Sequence, residues 1–270
     1  MKTKHKIQIA KIISFFLKPF FKKNQIHVRN QIKWYLDLNE GIDLSIFLFG
    51  TSEKKIKNLE QLFNLNEKIT IIDIGANIGS ISLPLAKSFN KSKIFAIEPT
   101  NYAFNKLNKN LNLNKDLKKN ISLNQLFLSK INKPTKVWSS WNFDKNIDKH
   151  KQHLGTLHNI KKKSYLTLSK FIVLNKIKKV DFIKLDVDGH ELDVLKSGEK
   201  FLKDIKPIIF IEIAPYLYPE FGYKCSDLII YIKRLGYSFY NDDLKKIRNI
   251  ENYVDKITFG GSKNFYLMKA

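Results

Sequence analysis

Residues 69–79, Ile-Thr-Ile-Ile-Asp-Ile-Gly-Ala-Asn-Ile-Gly, restrict the possible folds of this chain more than any other stretch. Ile69, Ile71, Ile72 and Ile74 form the short β-branched run that a strand buried on both faces requires. Asp73, Gly75, Asn77 and Gly79 then mark a tight turn, and Ile81, Leu83, Leu85 and Ala86 follow at helical spacing. Strand, glycine turn and helix in that order bring backbone N–H groups and the positive end of a helix up to a ligand. The spacing is D-x-G-x-x-x-G, not G-x-G-x-x-G. In a dinucleotide fingerprint the second glycine lets the pyrophosphate lie against the backbone. Asn77 puts a side chain in the neighbouring space, and an acidic strand end suits a cationic ligand better than an anionic one. A plain turn in another α/β protein is the competing explanation for this motif taken alone.

A second acidic strand end strengthens the ligand-binding reading. Lys-Ile-Phe-Ala-Ile-Glu-Pro over residues 93–99 is another short apolar strand, and Glu98 stands 19 residues after Gly79. A carboxylate at about that distance accepts hydrogen bonds from ribose hydroxyls in doubly wound folds. Pro99 cannot continue a ladder and ends the strand. Residues 180–198 repeat the pattern of strand, acidic turn and helix, and residues 207–213 form a further apolar strand carrying Glu212.

The string K-x-D-V-D-G-x-E-x-x-V-L-x-x-G from Lys184, followed by an apolar strand with Glu, resembles the FkbM-type methyltransferases. The resemblance runs over residues 31–240 and includes the Asp73–Gly79 turn. It implies an α/β fold of the class I methyltransferase (Rossmann-like) type, a doubly wound, mostly parallel sheet with a final antiparallel strand. It also implies S-adenosylmethionine as methyl donor and O-methylation of a sugar, glycan or secondary-metabolite hydroxyl. On this basis Asp73, Gly75, Asn77, Gly79, Glu98 and Asn124 are the expected cofactor-binding residues. Asp188 stands where the family more often has Glu, and the segment around Asn124 and Gln125, where adenine contacts would fall, matches loosely.

Methyl transfer needs proximity, orientation and removal of one proton. Asp186 ends the strand at the edge where open α/β sheets bind ligands. His190, at the start of the next helix, can take a proton near neutral pH. These two are the candidate catalytic residues; helix capping and dipole complementation compete as explanations for Asp186, Asp188 and Glu191. Lys184 lies on a buried strand and must be paired, with Glu212 the expected partner. His150, His153 and His158 have a spacing that could gather imidazoles, but no cysteine or carboxylate pattern accompanies them, and no metal ligand is assigned.

The chain of 270 residues, 43% hydrophobic, is long enough for one α/β core. Its single cysteine excludes an internal disulfide and points to a reducing, cytoplasmic compartment. The net charge of +23 suggests nucleic acid, yet the only arginines are Arg29, Arg234 and Arg248 and lysine is spread through every segment. The guanidinium fork that reads bases and phosphates is largely missing, so nucleic acid is disfavoured as a partner. A glycan or small-molecule acceptor, and peripheral contact with an anionic membrane, fit better.

Residues 1–30 are expected to form a basic, apolar N-terminal helix, either lying on the inner face of a membrane or packed on the domain or a second subunit. Its apolar run is too short to cross a bilayer. Residues 31–270 are expected to form the methyltransferase domain. Within it, residues 31–66 read as a hairpin, with residues 44–49 as its second strand, followed by a helix. Residues 133–166 read as an irregular insertion that shapes the substrate site. A nicotinamide-dependent oxidoreductase and a non-catalytic scaffold with the same core are the alternatives, distinguished by binding of S-adenosylmethionine against NAD.

Overall fold

The computed structural model describes residues 24–50, 53–130, 135–141, 155–160 and 165–270. In chain order the elements are β1 (Gln25–Arg29), β2 (Ile32–Leu36), α1 (Gly41–Phe49), α2 (Glu53–Leu62), β3 (Thr70–Ile74), α3 (Ser82–Ser88), β4 (Lys93–Ile97) and α4 (Asn101–Leu113). There follow β5 (Ile121–Asn124), β6 (Phe127–Leu128), β7 (Thr135–Trp141), β8 (Gly155–Ile160), β9 (Tyr165–Leu166), α5 (Leu168–Leu174), β10 (Phe182–Leu185), α6 (Glu191–Ser197) and α7 (Glu199–Ile205). The chain ends with β11 (Ile208–Ile213), α8 (Cys225–Arg234), β12 (Tyr237–Tyr240), α9 (Ile250–Val254) and β13 (Lys263–Lys269).

Seven strands form the central sheet in the order β12-β13-β11-β10-β3-β4-β5. β11, β10, β3, β4 and β5 are mutually parallel, and β13 runs antiparallel to both of its neighbours. The parallel strands need both faces covered, and the sequence supplies this by making consecutive residues apolar. Ile72 and Ile74 of β3, Phe95 and Ile97 of β4, and Ile183 and Leu185 of β10 enter one core with α5, α6, α7 and α8. Ile71, Ile94, Ala96, Phe182 and Phe210 enter the other, with α3, α4 and the N-terminal elements. Each fully buried isoleucine contributes about 1.5–3 kcal/mol, which makes this central sheet the dominant stabilising unit. Among the described residues no helix is long and apolar enough to cross a membrane.

The N-terminal region departs from expectation. The hairpin lies one element earlier, pairing β1 with β2 from Gln25↔Leu36 to Arg29↔Ile32. Residues 25–29 are therefore strand rather than part of a helix, and residues 41–49 are helix rather than a hairpin strand. Polar tertiary contacts decide the second case. Asp43 Oδ2 accepts from Asp37 N at 2.6 Å and pairs with buried Lys106 of α4, which fixes the first turn of α1 against the domain. The segment 6–23, expected to be helical, lies outside the described residues. The insertion contains an antiparallel ribbon, β7 with β8, whose base rests on Phe127 through Val137. β7 also lies against α1.

Candidate active site

β3 and β10 are adjacent, but the chain leaves them in opposite directions across the sheet, to β4 and to β11. This creates a crevice at their carboxyl ends, the place where open α/β sheets take ligands. Register sets Lys184 of β10 directly beside Asp73 of β3. Lys184 is 5% exposed, and its ammonium donates to Gly75 O at 2.6 Å. It also lies 3.3 Å from Asp186 Oδ2 and 3.6 Å from Asp73 Oδ1. Burial acts to lower its pKa, but the Asp186 and Asp73 carboxylates outweigh that and hold it above the ordinary lysine value. Glu212, the partner expected from the sequence, acts on Lys184 only as the more remote of its charges. Proximity along the ladder decided this: Asp73 is the cross-strand neighbour, whereas Phe210 occupies that position on β11.

Gly75 joins the two turns. Its φ is +80°, and a Cβ there would stand 1.9 Å from Asp186 O. The residue is glycine because the backbone after β10 occupies the space a side chain would need. Asp73 Oδ2 accepts from Ser82 of α3 at 2.6 Å, while Oδ1 is buried without a hydrogen bond.

Glu98 is buried at the end of β4. Its Oε2 accepts from Asn77 N at 3.0 Å; its Oε1 accepts from Thr100 N at 2.9 Å and Thr100 Oγ1 at 2.6 Å. The carboxylate thus ties the glycine turn to the chain beyond β4. Burial raises its pKa, opposed by the bonds from Thr100 and Asn77. Asn77 takes φ +50°, a left-handed conformation that Asn tolerates better than most residues. Asn124 stands next door at the end of β5, its carbonyl accepting from Glu98 N at 3.1 Å and its amide bonding Ser122 O.

The turn after β10 gathers three carboxyl groups. One oxygen each from Asp186, Asp188 and Glu212 lies within 4.8 Å of the others, the one set among the described residues with metal-ligating geometry. Ser262 donates to Glu212 Oε1 at 2.6 Å. Burial first, then neighbouring negative charge, raises the pKa of both Asp188 and Glu212 well above the usual carboxylate range. Such a group can share protons, coordinate a cation or accept from several hydroxyls. Glu191 closes the turn from inside by accepting from Val187 N at 3.1 Å and Gly189 N at 3.2 Å. Burial pushes its carboxyl up to about 8.

His190 begins α6 and is 7% exposed, with its ring against Phe127 at 4.9 Å and Phe221 at 4.2 Å between centroids. Asp186, by contrast, has a side chain 35% exposed. Of the residues proposed from sequence, Asp73, Gly75 and Asp186 meet around Lys184, and Asn77, Glu98 and Asn124 form a second group. Gly79 takes φ +92°, and a Cβ there would run into Leu83 and Leu107. Sequence reasoning missed Thr100, Ser82 and Ser262, small hydroxyl residues whose roles only the fold reveals. Of the three histidines weighed as ligands, His150 and His153 lie outside the described residues, and His158 stands on β8 opposite Val137.

No curated protein is significantly similar to the chain. Among solved structures, an FkbM methyltransferase from Methylobacillus flagellatus matches with TM-score 0.48 and 16% identity, over 83% of this chain and 47% of that one. The chain spans about half the length of that relative. The METTL16 methyltransferase domain matches with TM-score 0.50 and 13% identity, over 98% of this chain and 81% of that one. At such identities the likeness concerns the fold alone, that of class I methyltransferases. The family model described as the methyltransferase FkbM domain matches residues 73–239, well over half of the chain. That match opens on Asp73 and takes in Glu98, the acidic turn and Glu212, so the chain belongs to the FkbM methyltransferase family, with S-adenosylmethionine as its methyl donor.

Proposed function

We propose that the protein methylates a hydroxyl group on a sugar, glycan or secondary-metabolite acceptor. The observation that carries this reading is the cluster of Asp186, Asp188 and Glu212 at the crevice between β3 and β10. Several carboxyl oxygens facing one point suit a partner rich in hydroxyl donors.

The residues fit the methyl donor. Glu98 fills three acceptor positions internally, which leaves about one of the four lone-pair sites of a carboxylate for a ribose hydroxyl. Asp73 Oδ1, ion-paired with Lys184 but without a hydrogen bond, keeps acceptor capacity for the donor. When bound, the donor supplies a methyl group already activated by its sulfonium. The chain's own residues then align the acceptor and hold its proton. Asp186, more exposed than His190, receives the acceptor hydroxyl, and His190 or the carboxyl cluster takes the proton. The β7–β8 ribbon, rooted beside Phe127, which packs on His190, and reaching α1, borders the acceptor.

The test is label transfer from methyl-tritiated donor to a panel of sugars, glycan fragments and hydroxylated metabolites. An alkali-stable methyl ether is expected. Label found only in amines or in alkali-labile esters would refute the hydroxyl assignment.

A further inference from the structure

The outer face of the N-terminal hairpin takes no part in the chemistry above. The register Ile26↔Tyr35 and Val28↔Lys33 puts these four side chains on one face of the two-stranded sheet. The other face buries Ile32, Trp34 and Leu36 in the core. A sheet packed on one side presents polar residues on the other. Here Ile26 and Val28 are each 55% exposed, at alternate positions of an edge strand. Phe49, at the end of α1, is 78% exposed, and the adjoining Gly50 lies against Asn30 at the hairpin turn.

The rim of this face is cationic. Lys33 is exposed on it, and Lys109 of α4 stands 3.1 Å over the Tyr35 ring. Lys87 bonds Gln31 O and Oε1 at the turn. Asn114 holds both backbone groups of Lys33, which brings Lys115 alongside. Of residues 114–119 only Asp116 is acidic, against Lys115, Lys118 and Lys119. The sequence leading into β1, residues 6–23, carries five lysines interleaved with Phe15, Phe16, Phe20 and Phe21.

We propose that this face is a peripheral docking surface for an anionic lipid bilayer. Ile26 and Val28 enter the headgroup boundary while Lys33, Lys109 and their neighbours meet the lipid phosphates. Exposed aliphatics ringed by lysine fit this partner on both counts, because interfacial binding sums buried apolar area and attraction to anionic headgroups. A purely electrostatic partner would leave Ile26 and Val28 without a role.

The experiment is co-sedimentation of the full-length chain with phosphatidylcholine vesicles, with and without phosphatidylglycerol. Binding is expected only with phosphatidylglycerol, and to fall as salt rises. Lys33→Gln with Lys109→Gln should weaken it roughly 25-fold, about fivefold for each lysine near the surface. Ile26→Thr with Val28→Thr keeps strand propensity and should weaken it roughly tenfold or more. Both variants should retain parental melting and donor affinity. The proposal is overturned if both variants bind vesicles as the parent does, since the contact then lies elsewhere in the chain. It is equally overturned if neutral vesicles bind as well, or if sedimentation velocity shows a dimer that the threonine variant dissociates while lipid is ignored.

Discussion

Lys184→Met tests the central electrostatic claim, that one buried ammonium neutralises the crevice. Methionine keeps the length and apolar stem of the side chain and removes its charge. Asp73, with 0% of its side chain exposed, would lose its nearest cation, and Gly75 O would lose its 2.6 Å donor. Removing one partner of a buried pair costs about 3–5 kcal/mol. Asp186 is one-third exposed, so solvent screens its share and the lower end applies, about 3 kcal/mol. For a chain of this size that corresponds to a fall in melting temperature of roughly 6–12 °C. The pH dependence has a definite sign. Lys184 has its pKa raised in the folded state, so its stabilisation is complete below the unfolded value of about 10.4 and fades only as pH rises through the folded value. The wild type therefore keeps it throughout the acid and neutral range. In the variant the penalty comes from leaving buried negative charge without its cation. Urea unfolding followed by near-ultraviolet circular dichroism at about pH 7 reads the loss. A variant within about 1 kcal/mol of wild type at neutral pH refutes the reasoning.

Four further outcomes follow from the structure. Glu98→Ala should weaken donor binding by roughly 1.5–3 kcal/mol in calorimetry, because hydrogen bonds to a carboxylate carry that weight; unchanged affinity removes Glu98 from the donor site. Asp186→Asn should lower turnover and leave donor affinity nearly intact; loss of donor binding instead would assign Asp186 to the cofactor. If His190 takes the proton, His190→Ala should also abolish one ionisation in the rate profile. Burial pushes the Asp43 carboxyl up to about 7, against the pull of Lys106. A raised carboxyl lends stability below its unfolded value of about 3.9 and loses it as pH climbs to the folded value. Asp43→Asn should therefore flatten the decline of stability between about pH 4 and about pH 7, measured by urea midpoints; a decline of unchanged slope would exclude Asp43 as its source.

Much of the site was written locally. Asp73, Gly75, Asn77 and Gly79 are consecutive features of one strand-turn-helix unit, and both the positive φ of Gly75 and the apolar run before it follow from residue type. Glu98 and Asp186 were legible for the same reason: each ends an apolar strand, and parallel strands deliver their carboxyl ends to one edge. The final antiparallel strand that the resemblance implied is present as β13, which runs antiparallel to β11 and β12. Residues 44–49 were not. Leu-Ser-Ile-Phe-Leu-Phe has strand propensity, and the ion pair of Asp43 with Lys106, 63 positions away, sets a helix there instead.

The sequence by itself therefore determined the repeating units, the acidic strand ends and the glycine turn, because these depend on periodicity and backbone preference over a few residues. Only the tertiary structure decided which charges meet. Lys184 pairs with Asp73 and Asp186 rather than Glu212 because β10 lies between β3 and β11 in a register no local pattern encodes. Thr100 and Ser262 became partners of Glu98 and Glu212 in the same way. A buried charge must find a partner wherever the fold brings one, and that is a property of the assembled sheet, not of any segment.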